Sequence, residues 1–198
     1  MRKWIYFIRH GESVANANNV CCGQGNPPLT EKGKKQAADA RVLLENIKFD
    51  TVFCSDLTRA VQTEQIMLNA HDCRYTADVR EINTGSIEGQ KRTDLMQIYG
   101  EDYARARTVY DFSLWQGESA KEFVGRAEKF LQFLEKENVG ERVAVFCHAG
   151  FIQRAAQLIM GNPYGDIRFS IDNCSVTIFS CKDGKWRVYS INRTPEMP

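Results

Sequence analysis

No apolar run in the sequence approaches the roughly 20 residues needed to cross a membrane, so a helical span is excluded as its organising element. Net charge is nearly absent: 26 Lys and Arg stand against 25 Asp and Glu, leaving a formal +1. Without a global basic field nucleic acid is not an expected partner, and any positive charge that matters has to be focused locally. There is no CxxC pair. The three histidines, His10, His71 and His148, are dispersed, with no Cys/His cluster of ligand spacing around them, so a structural zinc site is not expected. The seven cysteines (Cys21, Cys22, Cys54, Cys73, Cys147, Cys174 and Cys181) are an odd number, and several sit inside apolar strand-like runs where a free thiol behaves as a small hydrophobe. That fits a reducing, cytoplasmic setting rather than a disulfide framework. Internal repeats, low-complexity tracts and linkers are missing too. Met1-Arg2-Lys3 has the charge of a signal-peptide start, but Arg9, His10 and Glu12 interrupt the apolar stretch behind it, and no export is expected.

What is present is an ordinary globular composition, 43% hydrophobic and 26% charged, in 198 residues. That length suits one well-buried domain and is short for two, so a single domain over 1–198 is expected. Strand and helix signals alternate along it. The apolar run Trp4 to Ile8 reads as a strand, and residues 17 to 29, rich in Asn, Gly and Pro, as a surface loop. Thr30 is a good N-cap, and Ala37, Ala40, Leu44 and Ile47 mark a helix of about four turns. Thr51 to Cys54 is β-prone and reads as a buried parallel strand, followed by a helix over roughly Leu57 to Asn69 and a short strand at Tyr75 to Val79. Residues 91 to 115 predict a small helical cap in two pieces, Thr93–Tyr99 and Glu101–Val109. The aromatic residues of that cap (Tyr103, Tyr110, Phe112 and Trp115) read first as local core and second as a substrate-facing wall. Ser119-Ala120-Lys121-Glu122 is a capping box opening an amphipathic helix that carries Phe123, Ala127, Phe130, Leu131 and Leu134. A strand at Val143 to Phe146, a helix with the stripe Ile152, Ala155, Ala156 and Ile159, and a hairpin around Asp183-Gly184 complete the chain, whose residues Thr194 to Pro198 are expected to fray. This order predicts a three-layer α/β/α sandwich with a mostly parallel central sheet and helices on both faces.

Two positions stand out chemically. Phe7 to Asn16 reads Phe-Ile-Arg-His-Gly-Glu-Ser-Val-Ala-Asn, so an apolar strand ends abruptly in a cation, an imidazole and a residue without a side chain. Ends of parallel strands are where such sheets place their sites. The same pattern of strand, His, Gly and helix returns at Cys147-His148-Ala149-Gly150. Arg59 falls in the first turn of its helix, where the macrodipole disfavours a cation, and an anion bound there would reconcile the two.

With these stretches go Ser55-Asp56-Leu57-Thr58-Arg59-Ala60 with Gln62-Thr63, Arg80-Glu81 with Gly85 and Glu88-Gly89, and Pro28-Leu29-Thr30-Glu31 with Gly33 and Gln36-Ala37. In this order they resemble the histidine phosphatase superfamily, which includes cofactor-dependent phosphoglycerate mutases and many small-molecule phosphatases. The resemblance spans essentially the whole chain and implies the phosphoglycerate mutase-like fold. It implies His10 as nucleophile, Glu81 as proton donor to the leaving alkoxide and then base toward water, and Arg9, Arg59 and His148 as partners of the phosphoryl oxygens. It further implies Gly11, Asn16, Cys22, Gly23 and Ala149 as phosphate- or substrate-binding positions. These residue types suit that chemistry, because an imidazole can attack only when neutral at the reacting nitrogen, and guanidinium groups fork onto phosphoryl oxygens at any working pH. One carboxyl can serve as acid and then base across two half-reactions. No metal or cofactor is implied, because Arg and His take the place of a metal.

The expected activity is hydrolysis of a small phosphorylated metabolite through phospho-His10. Phosphoglycerate mutase-type transfer is the alternative, weakened by a short cap and by Cys22 where mutases carry Ser or Thr before Gly23. A non-catalytic phosphate-binding module ranks last, since such relatives tend to lose the nucleophile or the acid. Phe49–Cys54, Leu95–Tyr99 and Phe169–Ser175 look similar to α-ribazole phosphatases, which brings α-ribazole 5′-phosphate among the substrates to consider. Thr84 and Ile87 depart from the aromatic and Trp common in the family. Whether the protein pairs as a homodimer is left open.

Overall fold

The computed structural model describes residues 1–196; Met197 and Pro198, the end of the tail expected to fray, lie outside the described residues. Its centre is a six-stranded sheet in the order β3-β2-β4-β1-β5-β6. β1 (Lys3–Arg9), β2 (Thr51–Ser55), β3 (Cys73–Thr76) and β4 (Arg142–Cys147) run parallel to one another. β5 (Val176–Lys182) and β6 (Lys185–Arg193) are the hairpin signalled by Asp183-Gly184, and β5 pairs antiparallel to β1.

Period-two alternation in the strands sends side chains to two cores. Ile5, Phe7, Phe53, Val143 and Val145 face one side, where α5 (Ala120–Lys136) and α6 (Ala149–Ile159) pack with Phe123, Phe130 and Phe151. Ile8, Val52, Cys54, Ala144 and Phe146 face the other, under α2 (Glu31–Ala40) and α3 (Thr58–Met67). α1 (Val14–Ala17) is one turn closed by a Ser13–Asn16 capping box. The sheet therefore lies between two helical layers.

Two element boundaries differ from the sequence reading. α2 ends at Ala40, not near Ile47, and passes into a tight turn in which Leu44 N donates to Arg41 O at 2.9 Å. Leu44 is nonetheless buried. The apolar stripe reports burial, which continues past the point where the closing hydrogen bond changes. β3 occupies Cys73–Thr76 rather than Tyr75–Val79, because the Thr76 hydroxyl accepts Asp78 N at 3.1 Å and turns Ala77–Val79 into a 3₁₀ turn.

Residues 91 to 115 form α4 (Arg92–Val109), broken into two pieces at Gly100, whose φ of 50° and ψ of −119° a side chain rarely permits. Tyr103, Phe112 and Trp115 are buried and pack on one another, as the first reading of the cap aromatics has it. Tyr110 lines a cavity, which Phe112 also borders from the core.

Phe7 is fully buried between Phe151 and Phe179, with ring centroids at 6.3 and 5.6 Å. Phe7→Ala should therefore cost about 3–5 kcal/mol, read as a lowered midpoint of urea unfolding with an unchanged slope; a loss below about 1 kcal/mol would contradict this packing.

Candidate active site

All four parallel strands deliver residues to the same edge of the sheet. His10 follows β1, Arg59 lies in the first turn of α3 after β2, Glu81 follows the turn after β3, and His148 follows β4. Register does the rest. Arg9 pairs with Cys147 and His10 N donates to Cys147 O at 3.1 Å, so the next residues on β1 and β4 stand side by side. The rings of His10 and His148 are 5.1 Å apart, at 59°.

His10 is buried and its tautomer follows from its neighbours. Nδ1 lies 2.7 Å from Gly11 O, a carbonyl that can only accept, so Nδ1 carries the hydrogen. Nε2 receives the Arg59 Nε donor at 3.2 Å and therefore presents a lone pair. Burial holds the imidazole well below its ordinary pKa, and the Arg59 and Arg9 charges push the same way. His148 is also held well below its ordinary value, again by burial first, then by Arg59 and His10. Its Nε2 lies 2.9 Å from Ser55 Oγ, and its buried Nδ1 has no partner.

Arg59 is buried at the N-terminus of α3, and three of its five donors are used. Besides His10 it gives Nη1 to Gly25 O at 2.7 Å and Nη2 to Gly23 O at 2.8 Å. Glu88 accepts Gly25 N and fixes the same loop from the far side. Arg9 gives Nη1 to Ile171 O at 2.5 Å, while its buried Nε has no partner.

Glu81 accepts Ile82 N at 3.0 Å through Oε1 and Gly150 N at 3.1 Å through Oε2. The second contact seats the carboxyl on the first turn of α6, where the helix dipole favours negative charge. A side chain at Gly150 would displace this carboxyl, since a Cβ would fall 2.2 Å from Glu81 Oε1 and 2.9 Å from Tyr110 Cε1. Arg126 anchors the loop from α5, donating to Arg80 O at 2.7 Å and to Glu81 O at 3.3 Å while paired with Glu118.

Of the residues singled out in the sequence, Arg9, His10, Asn16, Cys22, Arg59, Glu81 and Ala149 line one cavity of about 220 Å³. Asn16 has its side-chain oxygen committed to the cap of α1, which leaves the amide nitrogen for the cavity. Gly11, Gly23 and His148 do not line it. Gly11 N donates to Thr63 Oγ1 at 3.0 Å, Gly23 serves Arg59 with its carbonyl, and His148 stands behind His10. His71 is exposed on the surface.

Ser13, Thr84, Arg92, Arg107 and Arg168 are among the further lining residues that the sequence reading does not assign. Thr84 stands out in the sequence only as a departure from a family pattern, and the three arginines belong to no motif. Tyr110 was weighed chiefly as packing, yet it forms a wall. Its ring lies under Arg168 at 4.6 Å and Arg154 at 5.3 Å, and burial pushes its phenol up to about 12.

A parallel sheet edge presenting a neutral imidazole between arginines, with a carboxyl across the cavity, suits the class of enzymes that act on phosphorylated small molecules. The match to the histidine phosphatase superfamily (branch 1) runs over residues 5–194, and the chain belongs to that family. It is 30% identical over 166 residues to the adenosylcobalamin/alpha-ribazole phosphatase of Escherichia coli (strain K12), covering 82% of this chain and 81% of that one. It is 28% identical over 187 residues to a protein of Enterobacter sp. (strain 638) named "Probable phosphoglycerate mutase GpmB", covering 92% and 86%. Among solved structures, the alpha-ribazole phosphatase from Shigella flexneri superposes with a TM-score of 0.86 at 26% identity, over 98% of this chain and 96% of that one.

The two buried histidines set a pH dependence of stability. Their folded pKa values are depressed below the ordinary 6.5, so between the two values the unfolded chain binds more protons than the folded one. Lowering pH from 6.5 to 5 should therefore destabilise the protein, with up to two protons taken up on unfolding, and His148→Gln should reduce the slope. A flat stability across that window would contradict the burial of neutral imidazoles.

Proposed function

We propose that the protein hydrolyses a small phosphomonoester through a phosphohistidine on His10, with Glu81 as the proton donor. One observation carries this reading: the unprotonated Nε2 of a neutral His10 accepts from Arg59 Nε in a cavity that Glu81 also lines, so the lone pair is freed for attack when that donor turns to a phosphoryl oxygen. In the first half-reaction His10 Nε2 bonds to phosphorus as the bond from phosphorus to the ester oxygen breaks, and Glu81 gives its proton to that oxygen. In the second, the Glu81 carboxylate takes a proton from water. The water oxygen bonds to phosphorus, the phosphorus–nitrogen bond breaks, and inorganic phosphate leaves with His10 restored.

The phosphoryl oxygens meet Arg9, the two remaining donors of Arg59 and the Asn16 amide, while His148 stands behind His10. Holding the imidazole neutral and meeting the phosphoryl charge are served by the same arginines. The positive field that penalises an imidazolium favours an incoming dianion. The names of the similar proteins make α-ribazole 5′-phosphate the first substrate to assay. The mutase reading is less favoured, because water has to be kept from the intermediate and a thiol stands at Cys22 where a hydroxyl would touch substrate.

His10→Ala should abolish turnover of a generic phosphomonoester together with the acid-labile phosphoenzyme seen on rapid quenching. Glu81→Gln should lower kcat by about 10²- to 10⁴-fold and leave KM within a few-fold. Full activity in His10→Ala would sink the mechanism, and isomerised product from a phosphoglycerate assay would favour the mutase.

A further inference from the structure

At the end of the sheet remote from the catalytic cavity, four cations gather. Arg2, Lys182, Lys185 and Arg187 surround a small depression of about 110 Å³, together with Ser180 and Asp183. Arg2 precedes β1 and His10 follows it, so the length of that strand, roughly 25 Å, separates the depression from the cavity. The cluster is thus separate from the chemistry proposed for His10.

Strand register sets the cations side by side. Lys182 and Lys185 are the closing pair of the β5–β6 hairpin, held opposite each other by a two-residue turn in which Asp183 and Gly184 have φ of 50° and 72°. Lys3 pairs with Cys181, so Arg2, one residue outward, comes level with Lys182. Arg2, Lys182 and Lys185 therefore form a row across three neighbouring strands, and Arg187, opposite Ser180, stands one row further along on the same face. Like charges directly opposite one another are destabilising. Among the described residues none of the four side chains makes a hydrogen bond or ion pair, although Arg2 lies 5.9 Å over the Trp4 ring. Cations on an edge strand keep a second chain from pairing there. That accounts for Lys185 and Arg187 on β6, but not for Lys182 and Arg2, which carry the row inward over β5 and β1.

We propose that this row is a binding site for a small oligophosphate, a free anion carrying two or more phosphoryl groups. Neighbouring strands lie about 4.8 Å apart, so the row offers successive cations to successive phosphoryl groups. The lysines act as point charges, and the forks of Arg2 and Arg187 can each bind two oxygens. An extended anionic surface is met less well, because the hairpin tip that would touch it first carries Asp183. A bound anion relieves the repulsion along the row, which links binding to stability.

The test titrates the full chain with methylenediphosphonate, a diphosphate analogue whose bridge resists hydrolysis, and follows the backbone amides of Lys182, Lys185 and Arg187 by NMR. These amides report on this site even if the anion also enters the catalytic cavity. They should shift saturably with a Kd of about 1 mM or tighter. Methylphosphonate, with one such group, should bind about tenfold more weakly. Lys182→Gln and Arg187→Gln should each raise the Kd about threefold, and the double variant about tenfold, the size expected for exposed charge pairs. Lys121→Gln, on α5 across the sheet, should leave it unchanged and so control for net charge. Without the anion, Lys185→Gln should unfold at a higher urea concentration than wild type, because one of the opposed charges is gone. No saturable shift at these amides, equal affinity for the two probes, a Kd unmoved in the double variant, or a urea midpoint not raised in Lys185→Gln overturns the site. None of these results bears on hydrolysis at His10.

Discussion

The contact between Arg59 and the Nε2 lone pair of His10 is the constraint on which the site depends. A guanidinium can donate to an imidazole only if the imidazole keeps that nitrogen unprotonated, so the geometry and the protonation state enforce each other. Both groups are buried, and an unpaired donor at that depth would cost about 1–3 kcal/mol. The surrounding chain is arranged to avoid that cost. Gly23 and Gly25 turn their carbonyls to Arg59, Glu88 fixes Gly25 from behind, and Thr63 ties Gly11 N to the carbonyl of Arg59. Loops after β1 and before α2 are thereby tied to the first turn of α3.

Sheet order explains why these loops can meet. β4 lies between β1 and β2, so its last residue, Cys147, sits between the strands that lead to His10 and to Arg59. His148 then falls at the centre, fully buried, with Ser55 at the end of β2 on one side and His10 on the other. β3 at the edge needs only a turn to bring Glu81 across the cavity onto α6, and Arg126 from α5 holds that turn in place. Strand order thus fixes the distances within the site, while the helix termini provide the local fields.

The sheet and its two helical layers were legible because alternation and helical stripes report burial directly. Phe53, Val143 and Val145 on one face and Val52, Ala144 and Phe146 on the other illustrate it. The boundaries that were misread, at Leu44 and at Thr76, depend on which hydrogen bond closes a turn, and apolar spacing carries no information on that. Arg9, His10, Arg59 and Glu81 could be found because each stands at a strand or helix end within a motif, and all four line one cavity. Arg92, Arg107 and Arg168 could not. They are far apart in sequence and follow no pattern, and only the return of α4 and of the loop before β5 over the strand ends brings them together. Tyr110 was hidden for another reason: aromatic residues in a cap read as core, and three of its companions are core.

The partners of the arginines that hold the cavity differ from those of two arginines on the scaffold. Away from the cavity, Arg80 is paired with Asp56 and Arg126 with Glu118, whereas the buried Arg154 donates to the carbonyls of Pro163 and Val109. Three of the arginines around the cavity are matched with carbonyls: Arg9 with Ile171, Arg59 with Gly23 and Gly25, and Arg168 with Arg107 and Thr108. A carbonyl satisfies a donor without cancelling its charge, whereas a carboxylate does both. Carbonyl partners therefore let a guanidinium be buried and oriented while its field persists in the cavity. Burial first, and that field with it, keeps the histidines neutral, and the field remains available to an anion. A carboxylate at the same positions would hold the arginines equally well and compete with the phosphoryl group for them. A chain with almost no net charge can in this way maintain a strongly positive cavity, by choosing which of its cations to neutralise.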